Sequence, residues 1–359
     1  MSLTVVVGGQ FGSEGKGKLV AHLAAAADKP AVVRCGGTNS GHTVDFDGRP
    51  YPLRQLPSGA IVEDAALFLG AGMVIAPDLL LQEISDLRID ISRVRIDRNA
   101  VILDESDREA EKKLGLRTQV GSTLSGTGSA TARKVLRDSR QQTARDVPEF
   151  RGLVTDVSAE LNALLDAGRP VIVEGTQGMG LSLHHSPHFP FVTGRDTSAA
   201  AFLSEVGLSP MLVSDVVLVL RTFPIRVAGN SGPLRGEITW KELTERAGAH
   251  EALSETTTVT RKIRRVAEFD WEQAEEAVRI NRPSAVAIHG IDYLNFEDRD
   301  AKSWSSLSQV SKRFIHQVEA RLDTPVDFVF TGPAVGDLLD RRLMEAPASR
   351  KEIVGASSG

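Results

Sequence analysis

The sequence predicts an α/β protein with one large domain, built around a mainly parallel central sheet with helices on both faces. Two observations carry this prediction: short β-branched runs recur along the chain, and helical patterns lie between them. Strands that alternate with helices favour a parallel sheet, because each helix returns the chain to the edge where the next strand begins. Of the 359 residues, we expect 1–344 to form the domain and the tail 345–359 to fray.

Six apolar runs are typical of buried strands, because helices cover both faces of a parallel sheet. In chain order they span 4–7, 31–34, 171–174, 216–221, 285–288 and 327–330. Helical patterns occupy 18–27, 157–168, 271–280 and 308–322. The second of these closes with Gly168, a residue type favoured at the C-terminus of a helix. The alternation of the two patterns therefore supports the parallel sheet.

The composition of the chain disfavours several classes of function and location. The chain is 41% hydrophobic and carries a formal net charge of −5, which is typical of a globular protein and disfavours duplex nucleic acid as a partner. Pro77 and Asp78 interrupt the longest apolar run, so we expect no membrane span, and the N-terminus lacks the charged segment of a signal peptide. The single cysteine, Cys35, favours a reducing, cytoplasmic location. Its strand-end position predicts a small, buried apolar residue.

Glycine-bearing loops follow five of the predicted strands. These loops contain Gly8, Gly36, Gly175, Gly290 and Gly332. Because the carboxyl ends of parallel strands meet at one edge of a sheet, we expect the loops to lie together, where ligands of such sheets bind. Glycine also lets backbone N–H groups approach a phosphate closely. Glycines end strands for structural reasons too, but five such loops on one edge favour a nucleotide site.

The first of these loops, "VVVGGQFGSEGKGK" (5–18), is similar to a phosphate-binding loop but has a different spacing. A Walker loop has four residues between its first glycine and Gly-Lys-Ser/Thr. Here five residues separate Gly9 from Gly15, and Gly17 rather than a hydroxyl residue follows Lys16. The dinucleotide pattern G-x-G-x-x-G does not fit either. The loop therefore predicts phosphate binding of another kind.

The second informative loop is "CGGTNSGHTV" (35–44), which is rich in residues that bind ligands through backbone and side chain together. His42 is its only group that can titrate near neutral pH. The alternative is a loop histidine that is simply bonded to a backbone carbonyl, and this loop alone does not decide between the two.

Taken together, seven stretches resemble adenylosuccinate synthetase, in that family's order from residue 8 to residue 333. They are "GGQFGSEGKGK", "GGTNSGHT", "LPSG", "VEGTQG", "PFVTGRDTSA", "TTTVTRKIRR" and "FTGP". The length resembles the short, archaeal-type members. The resemblance implies a homodimeric ligase with one large α/β domain related to P-loop NTPases. Such an enzyme joins L-aspartate to carbon 6 of a purine monophosphate, driven by a nucleoside triphosphate with Mg²⁺.

The resemblance also implies roles for individual residues. The catalytic residues are Ser13 and His42, with His42 stabilising the transferring phosphoryl group, and the Mg²⁺ ligands are Ser13 and the carbonyl of Gly41. The triphosphate-binding residues are Ser13, Gly15, Lys16, Gly17, Lys18, Gly41, His42, Thr43, Asp292, Gly332 and Pro333. The purine monophosphate-binding residues are Ser13, Asn39, Thr123, Arg137, Gln177, Thr193 and Lys262, with Arg137 reaching the 5′-phosphate across the dimer interface. The aspartate-binding residues are Thr258, Val259, Thr260 and Arg264.

The first departure from the family is Ser13, where the family has an aspartate that removes the purine N1 proton and ligates Mg²⁺. Serine is neutral at pH 7 and cannot act as that base unaided. Positioning and charge stabilisation can still supply much of a phosphoryl-transfer rate. The change resembles a viral branch that makes 2-aminoadenine deoxynucleotides for phage DNA from dGMP, which would place the enzyme in the host cytoplasm.

Two further departures concern the nucleotides. Lys262 aligns with the family's arginine near the ribose 2′-hydroxyl, and a lysine does not replace an arginine fork, which fits a deoxyribose. The family reads the guanine of GTP with Thr-Lys-x-Asp and a serine before T-G-P. Here Asp292 is kept, but Gly290 takes the lysine position and Phe330 the serine position. A pocket without these two contacts favours ATP or dATP as the donor.

The sequence therefore predicts a ligase that condenses dGMP with L-aspartate through a 6-phosphoryl purine. The product would be N6-succino-2-amino-2′-deoxyadenylate. The nearest alternative is adenylosuccinate synthesis from IMP, aspartate and GTP. A small-molecule kinase or NTPase is disfavoured by the failed Walker spacing, and a catalytically dead nucleotide-binding protein remains a further alternative because of Ser13.

The run "LHHSPHF" (183–189) also raises a zinc site through His184, His185 and His188. Prolines flank the run, no cysteine lies nearby, and the spacing is not that of a helical ligand pair. We expect an ordinary loop.

Overall fold

The structure is a computed structural model that describes residues 2–46, 48–256 and 262–344. The expected frayed tail, 345–359, lies outside these residues. No helix among them is both long and apolar enough to cross a membrane.

The elements alternate along the chain much as the sequence predicts. The strands are β1 Leu3–Gly8, β2 Ala31–Arg34, β3 His42–Phe46, β4 Arg49–Leu53, β5 Ala66–Leu69, β6 Val74–Ile75, β7 Val94–Asp97, β8 Val101–Ile102, β9 Val154–Thr155, β10 Val171–Glu174, β11 Asp215–Arg221, β12 Ile225–Arg226, β13 Glu237–Ile238, β14 Arg265–Ala267, β15 Ala285–His289, β16 Val326–Phe330 and β17 Leu338–Asp340. The helices are α1 Lys16–Ala25, α2 Pro77–Asp86, α3 Glu105–Lys113, α4 Leu116–Val120, α5 Thr127–Val135, α6 Val157–Asp166, α7 Ala199–Val206, α8 Trp240–Ala247, α9 Trp271–Asn281, α10 Gln309–Leu322 and α11 Arg341–Met344.

A ten-stranded sheet forms the centre, in the order β17-β16-β15-β11-β1-β10-β2-β5-β7-β9. Its neighbours pair in parallel, except for β17, which pairs antiparallel with β16 at one edge. All six predicted strands lie side by side in the middle of this sheet. The predicted mainly parallel α/β fold is therefore confirmed.

Both faces of the sheet are covered, as the fully apolar strands require. Val5 and Val7 of β1 pack into a cluster with Leu161 and Leu165 of α6 and with residues of α7, α9 and α10. Val6 points to the opposite face and packs with Leu19, Val20 and Ala24 of α1. Because successive residues of a strand point to opposite faces of the sheet, β1 contributes side chains to two hydrophobic cores.

The sequence missed the outer strands on one side of the sheet. β5, β7 and β9 carry only two to four residues each, and β7 includes Arg95 and Asp97 in place of an unbroken apolar run. A short strand with charged residues gives little periodic signal. The helix predicted at 18–27 begins two residues earlier, at Lys16, and ends at Ala25.

The parallel strands bring the five glycine-bearing loops to one edge of the sheet. Registry pairs Glu174 at the end of β10 with Arg34 at the end of β2. It also pairs Arg221 at the end of β11 with His289 at the end of β15. Four strands, two on each side of β1, thus end in charged or titratable side chains at the same edge as the first loop. This edge is where the candidate site lies.

Candidate active site

The first loop, residues 8–15, is folded around the carboxylate of Glu14. This side chain is completely buried, and its Oε1 accepts hydrogen bonds from the backbone N–H groups of Gln10 (3.2 Å) and Gly12 (2.8 Å). Its Oε2 pairs with the ammonium of Lys16, which is 2% exposed. Lys16, a predicted triphosphate ligand, therefore stabilises the loop from within in this structure, and Glu14 is occupied by internal partners.

Ser13 lies exposed at the turn of this loop with φ of +58°. The left-handed region is uncommon for serine, and Asn or Asp enter it more readily. The guanidinium of Arg221 donates from a terminal nitrogen to the Ser13 carbonyl at 2.9 Å. A charged donor thus holds the backbone in a strained conformation while the side chain remains at the surface.

Helix α1 begins at Lys16, directly after the loop, and Gly15 is its N-cap residue, with φ of +97°. The N-terminus of a helix favours anions, because its first N–H groups are unpaired and its dipole is positive there. Glycine is needed here for a second reason: a Cβ would lie 2.7 Å from Cδ2 of His289. The helix start and β15 are therefore in close contact.

Lys18 joins three of the five loops. Its Nζ lies 2.7 Å from Nε2 of His289 and donates to the carbonyl of Gly332 at 3.1 Å. It also lies over the ring of Phe330. Burial, with Arg221 nearby, lowers the pKa of Lys18 to about 8. Since a protonated lysine only donates, Nε2 of His289 accepts, and the ring carries its hydrogen on Nδ1.

His42 and Glu174 form a buried pair. His42 begins β3, and its Nδ1 contacts the carboxylate of Glu174, which is itself fully buried and accepts from the N–H (2.6 Å) and Oγ (2.7 Å) of Ser58. Burial, together with Arg34, lowers the pKa of His42 to about 4. Burial would raise the pKa of Glu174, but His42 and Arg34 hold it down, at about 2.

At neutral pH the pair is thus a neutral imidazole that donates Nδ1–H to a carboxylate. This leaves the lone pair of His42 on Nε2. The alternative of a histidine bonded to a backbone carbonyl is wrong, since the partner is the side chain of Glu174.

Helix α1 also packs against this pair. A Cβ on Gly17 would lie 2.9 Å from Cβ of His42 and 2.8 Å from Oγ of Ser58. Gly17 is therefore required by the close approach of the helix to β3. The first loop and the His42 loop, which the sequence treats as separate motifs, form one surface.

Two predicted purine ligands are joined to each other. Gln177 donates from Nε2 to Oγ1 of Thr193 at 2.8 Å. Its backbone lies against Gly12, where a Cβ would be 3.5 Å from Cα of Gln177. The two side chains therefore lie beside the first loop, as a shared ligand would require.

The remaining predicted residues are placed less closely. Asp292 is 4% exposed, and its carboxylate accepts two hydrogen bonds from Arg299 at 3.1 Å each. The side chains of Asn39 and Arg264 and the backbone of Gly41 are half-buried. The side chains of Thr43, Thr123, Arg137, Lys262 and Pro333 are exposed. Among the described contacts, none joins Arg137 to the first loop. Thr258, Val259 and Thr260 lie outside the described residues.

The sequence did not predict a role for four residues of this edge: Arg34, Glu174, Arg221 and His289. Each is the last residue of a strand whose other buried residues are apolar. A charged or titratable residue that ends a buried run is the signal that would have found them. Cys35, by contrast, is fully buried as predicted.

The histidines of 183–189 do not converge on one point: His184 and His185 contact each other edge to face, and His188 has another partner. His185 lies 3.8 Å from Asp196, and the ring of His188 packs on Phe11. Within 2–46, 48–256 and 262–344, no group of three or more His, Cys, Asp or Glu side chains is placed to hold a metal ion.

We expect Glu174→Gln to lower turnover by about ten- to hundredfold. The amide keeps the hydrogen bond to Nδ1 of His42 but loses the negative charge that favours protonation of the His42 ring. His42→Ala should lower it by at least about a hundredfold. Steady-state kinetics on variants with unchanged thermal unfolding and nucleotide affinity measure both effects. A folded Glu174→Gln variant with wild-type turnover would contradict the role of the pair.

A second prediction concerns Lys18. A pKa near 8 means that its ammonium loses its proton within the range of pH 7 to 9, and only the protonated form attracts a triphosphate. Affinity for a non-hydrolysable triphosphate should therefore fall by about tenfold from pH 7 to pH 9. Lys18→Arg should remove this fall, because arginine does not titrate there. The same slope in both proteins would show that another group is responsible.

Comparisons with known proteins agree with this geometry. A family model described as adenylosuccinate synthetase matches residues 5–145 and 139–299. The adenylosuccinate synthetase of Archaeoglobus fulgidus is 38% identical over 345 residues, covering 95% of this chain and 99% of the relative. That of Thermococcus sibiricus is 39% identical over 344 residues, covering 94% and 98%.

Two solved structures are similar in fold. The fully ligated adenylosuccinate synthetase of Plasmodium falciparum has a TM-score of 0.82 at 21% identity, covering 94% of this chain and 99% of that one. The succinoaminodeoxyadenylate synthetase of cyanophage S-2L, bound to dGMP and to dATP as an energy donor, has a TM-score of 0.78 at 30% identity, covering 94% and 95%. With the family model and the archaeal relatives matching nearly the whole described chain, this protein belongs to the adenylosuccinate synthetase family.

Proposed function

We propose that this carbon–nitrogen ligase joins L-aspartate to carbon 6 of a purine nucleoside monophosphate, driven by a nucleoside triphosphate. The observation that carries the proposal is the convergence of the first loop, the His42–Glu174 pair and Lys18 on one edge of the sheet. A helix N-terminus and a lysine suit a triphosphate, and a histidine beside them suits phosphoryl transfer.

The reaction needs two balanced steps. The purine O6 attacks the γ-phosphorus, the bond to the β-phosphate oxygen breaks, and a nucleoside diphosphate leaves as N1 loses its proton to water. The amino group of aspartate then attacks carbon 6, the carbon–oxygen bond breaks, and inorganic phosphate leaves with the proton that the amino group loses. A negatively charged phosphoryl group beside His42 would raise its pKa and favour the imidazolium. The imidazolium, with Glu174 on Nδ1, would then donate Nε2–H to that group.

Mg²⁺ fits this chemistry through Ser13 and Gly41. Mg²⁺ is usually bound by few protein oxygens together with substrate phosphates. The Ser13 hydroxyl is exposed and the Gly41 backbone is half-buried, whereas the carboxylate of Glu14 is committed to the loop. We therefore propose that these two residues supply neutral oxygens and that the phosphates supply the charge. When bound, the ion would neutralise the phosphates during transfer.

The comparisons favour IMP as the purine substrate and GTP as the donor. Eight archaeal relatives at 36–39% identity are all named adenylosuccinate synthetase. The phage enzyme bound to dGMP is less similar, at 30%. On overall similarity alone, adenylosuccinate synthesis is the better-supported reaction.

One specific observation favours dGMP as a second candidate. Position 13 carries an exposed serine where the family has its catalytic aspartate, so the site offers neither a charge nor the bulk of a carboxylate there. The neighbouring Glu14 cannot replace that carboxylate without releasing Gln10, Gly12 and Lys16. The amino group at C2 of guanine would find room beside a serine.

The donor loops support an adenine nucleotide in the same way. Phe330 is fully buried and packs on His289 and Lys18, so it offers no hydrogen bond to a guanine. Gly290 has φ of +83° and carries no side chain. Asp292, the one retained residue, is held by Arg299. We infer a donor pocket with fewer guanine contacts than the family's.

The assay that tests these proposals crosses IMP, GMP and dGMP with ATP, dATP and GTP, with and without aspartate, and measures phosphate release. Release that requires aspartate supports the ligase. If Ser13 sets dGMP selectivity, Ser13→Asp should shift the ratio of kcat/KM from dGMP toward IMP by about 1–3 kcal/mol. The backbone accepts the change, since aspartate enters the left-handed region more readily than serine.

Ser13→Ala is the matched control, because it changes the hydroxyl without adding charge. A wild type that prefers IMP would make the chain an adenylosuccinate synthetase and remove the dGMP candidate. A wild type that prefers dGMP, with a ratio unchanged in Ser13→Asp, would keep the substrate and reject our explanation of it.

We also propose a homodimer that shares Arg137 between active sites. Arg137 follows α5 with φ of +56° and lies exposed beside Val135 and Leu136, which are 73% and 76% exposed. Adjacent exposed apolar residues are typical of an interface. An arginine at that interface could reach the 5′-phosphate of the partner subunit, as the family resemblance implies.

Arg137→Ala should weaken monophosphate binding by about 1.5–3 kcal/mol, the worth of a hydrogen bond to a charged group. Mixing Arg137→Ala with His42→Ala subunits should restore activity, because each hybrid dimer contains one intact site and one site that carries both changes. Subunit exchange is verified with differently tagged chains. Exchange without any recovery would argue that each site is built from one chain.

A further inference from the structure

A cavity of about 400 Å³ lies at the opposite edge of the sheet from the candidate active site. Its lining includes Ala66, the first residue of β5, Arg93, which directly precedes β7, and Arg169, which precedes β10 by two residues. Because these strands are parallel, their first residues share one edge and their last residues share the other. None of the predicted active-site residues that the structure describes lines this cavity. The cavity therefore needs an explanation of its own.

The floor of the cavity is apolar. Ala66 and Phe68 point to the face of β5 that α6 covers, and Leu164 of α6 packs against the same core. Phe68 is only 2% exposed. A flat or apolar group placed on this floor would be removed from water, which favours binding.

Arg95 lies where the sheet would otherwise carry another apolar side chain. It pairs in register with Phe68, so it points to the same face, toward α6. A strand covered on both faces is typically apolar, as the neighbours Val94 and Ile96 are. Nε of Arg95 lies 3.8 Å from a carboxylate oxygen of Glu160 on α6, which is too long for a hydrogen bond. Arg95 thus brings a charge into the cavity wall where packing alone favours a hydrocarbon.

Two further arginines are fixed in the wall by backbone carbonyls. Arg93 donates from Nε to the carbonyl of Ala65 at 2.9 Å and from Nη2 to that of Val62. Arg169 donates from Nε and Nη2 to the carbonyl of Lys29, at 2.9 and 2.5 Å. Since a guanidinium has five N–H groups, each arginine keeps donors beyond those that orient it. Both are therefore held in place and still able to bind a ligand.

The cavity carries excess positive charge. Of its three arginines, only Arg95 has a carboxylate partner within the described residues. The other lining carboxylate, Asp64, accepts the backbone N–H of Lys29 at 3.3 Å. Arg93 and Arg169 thus present two positive charges that no described carboxylate contacts. A phosphate monoester carries about −1.5 to −2 charges at neutral pH and suits a guanidinium fork, so it matches this pair.

We propose that this cavity binds a phosphate monoester with a flat, partly apolar body, of the size of a nucleoside monophosphate. The arginines hold the phosphate, and the floor of Phe68 and Leu164 holds the body. A volume of about 400 Å³ falls in the range of roughly 300–1,000 Å³ for small-molecule sites, whereas inorganic phosphate alone would leave the floor uncovered. The site is separate from the one that the proposed function uses, and the inference does not depend on that function.

Hydrogen exchange measured by mass spectrometry tests this site, because it shows which segments a ligand protects. AMP, GMP and IMP are added to the full chain at millimolar concentration. Adenosine and inorganic phosphate serve as probes that each lack one half of the ligand. At least one of the monophosphates should slow exchange in 62–66, 91–95 and 161–169. Neither adenosine nor inorganic phosphate should do so at the same concentration.

The double variant Arg93→Gln, Arg169→Gln removes both unneutralised charges. It should raise the monophosphate concentration needed for half-maximal protection by at least about tenfold, the scale for a lost hydrogen bond to a charged group. Its turnover should be unchanged, since neither arginine lies at the candidate active site. If the double variant does not fold, Arg169→Gln alone should raise that concentration by at least about threefold.

Arg98→Gln is the matched control. Arg98 is also a surface arginine close to β7, but it pairs with Asp156 at 2.8 Å and does not line the cavity. This variant should keep the wild-type protection. An equal loss in Arg98→Gln would overturn the assignment, because the effect would be a general one of surface charge.

The remaining outcomes are distinct. No protection at this edge by any of the three monophosphates would overturn the site. Equal protection by adenosine would refute recognition of the phosphate, and equal protection by inorganic phosphate would refute the role of the apolar floor. Wild-type protection in both arginine variants would also overturn the proposal. A failed ligase assay with this protection intact would refute the proposed function and leave the second site in place.

Discussion

The structure depends on pairing the charges that its parallel strands bury at one edge of the sheet. Arg34, Glu174, Arg221 and His289 each end a strand whose other buried residues are apolar. A buried charge is tolerated only when an opposite charge or hydrogen bonds compensate it. Each is compensated by a loop: Arg34 by carbonyls of Leu56 and Ser40, and Glu174 by Ser58 and His42.

This constraint explains why the loops are ordered against the sheet. The loops bring polar partners to the strand ends, and the strand ends in turn fix the loops. The central strands give the edge its rigidity, because both their faces are packed. A site that must hold reacting groups in a fixed geometry gains from such support, since small displacements are costly to rate.

The sequence predicted the fold well where its signal was periodic. The six central strands are unbroken apolar runs, and they were found with bounds close to those observed. β5, β7 and β9 were not predicted because they have only two to four residues each and because Arg95 and Asp97 interrupt β7. Their place in the sheet comes from pairing with strands that are distant in sequence. The local pattern of apolar residues does not show which distant strands will pair with each other.

For the site, the sequence identified loops but not the partners that hold them. The predicted Lys18, His42, Gln177 and Thr193 lie at the expected edge. Their supporting residues, Glu174 and His289, come from strands 132 and 271 positions away in sequence from the residues they contact. A contact over that distance becomes visible only when the chain is folded. Lys16 shows a different limit of prediction from sequence. Its place in the motif predicts a triphosphate ligand, but its partner in the structure is Glu14 of the same loop.

Gly17 shows why this loop and the Walker loop are alternative solutions. In a Walker loop the residue after the lysine supplies a hydroxyl to the metal. Here that residue faces Cβ of His42 at a distance that admits no side chain. A Walker loop uses this space for a hydroxyl that binds the metal, whereas in this protein His42 of β3 occupies it. A phosphate-binding loop of this kind therefore cannot acquire the Walker pattern by one substitution, because the helix and the strand would first have to separate.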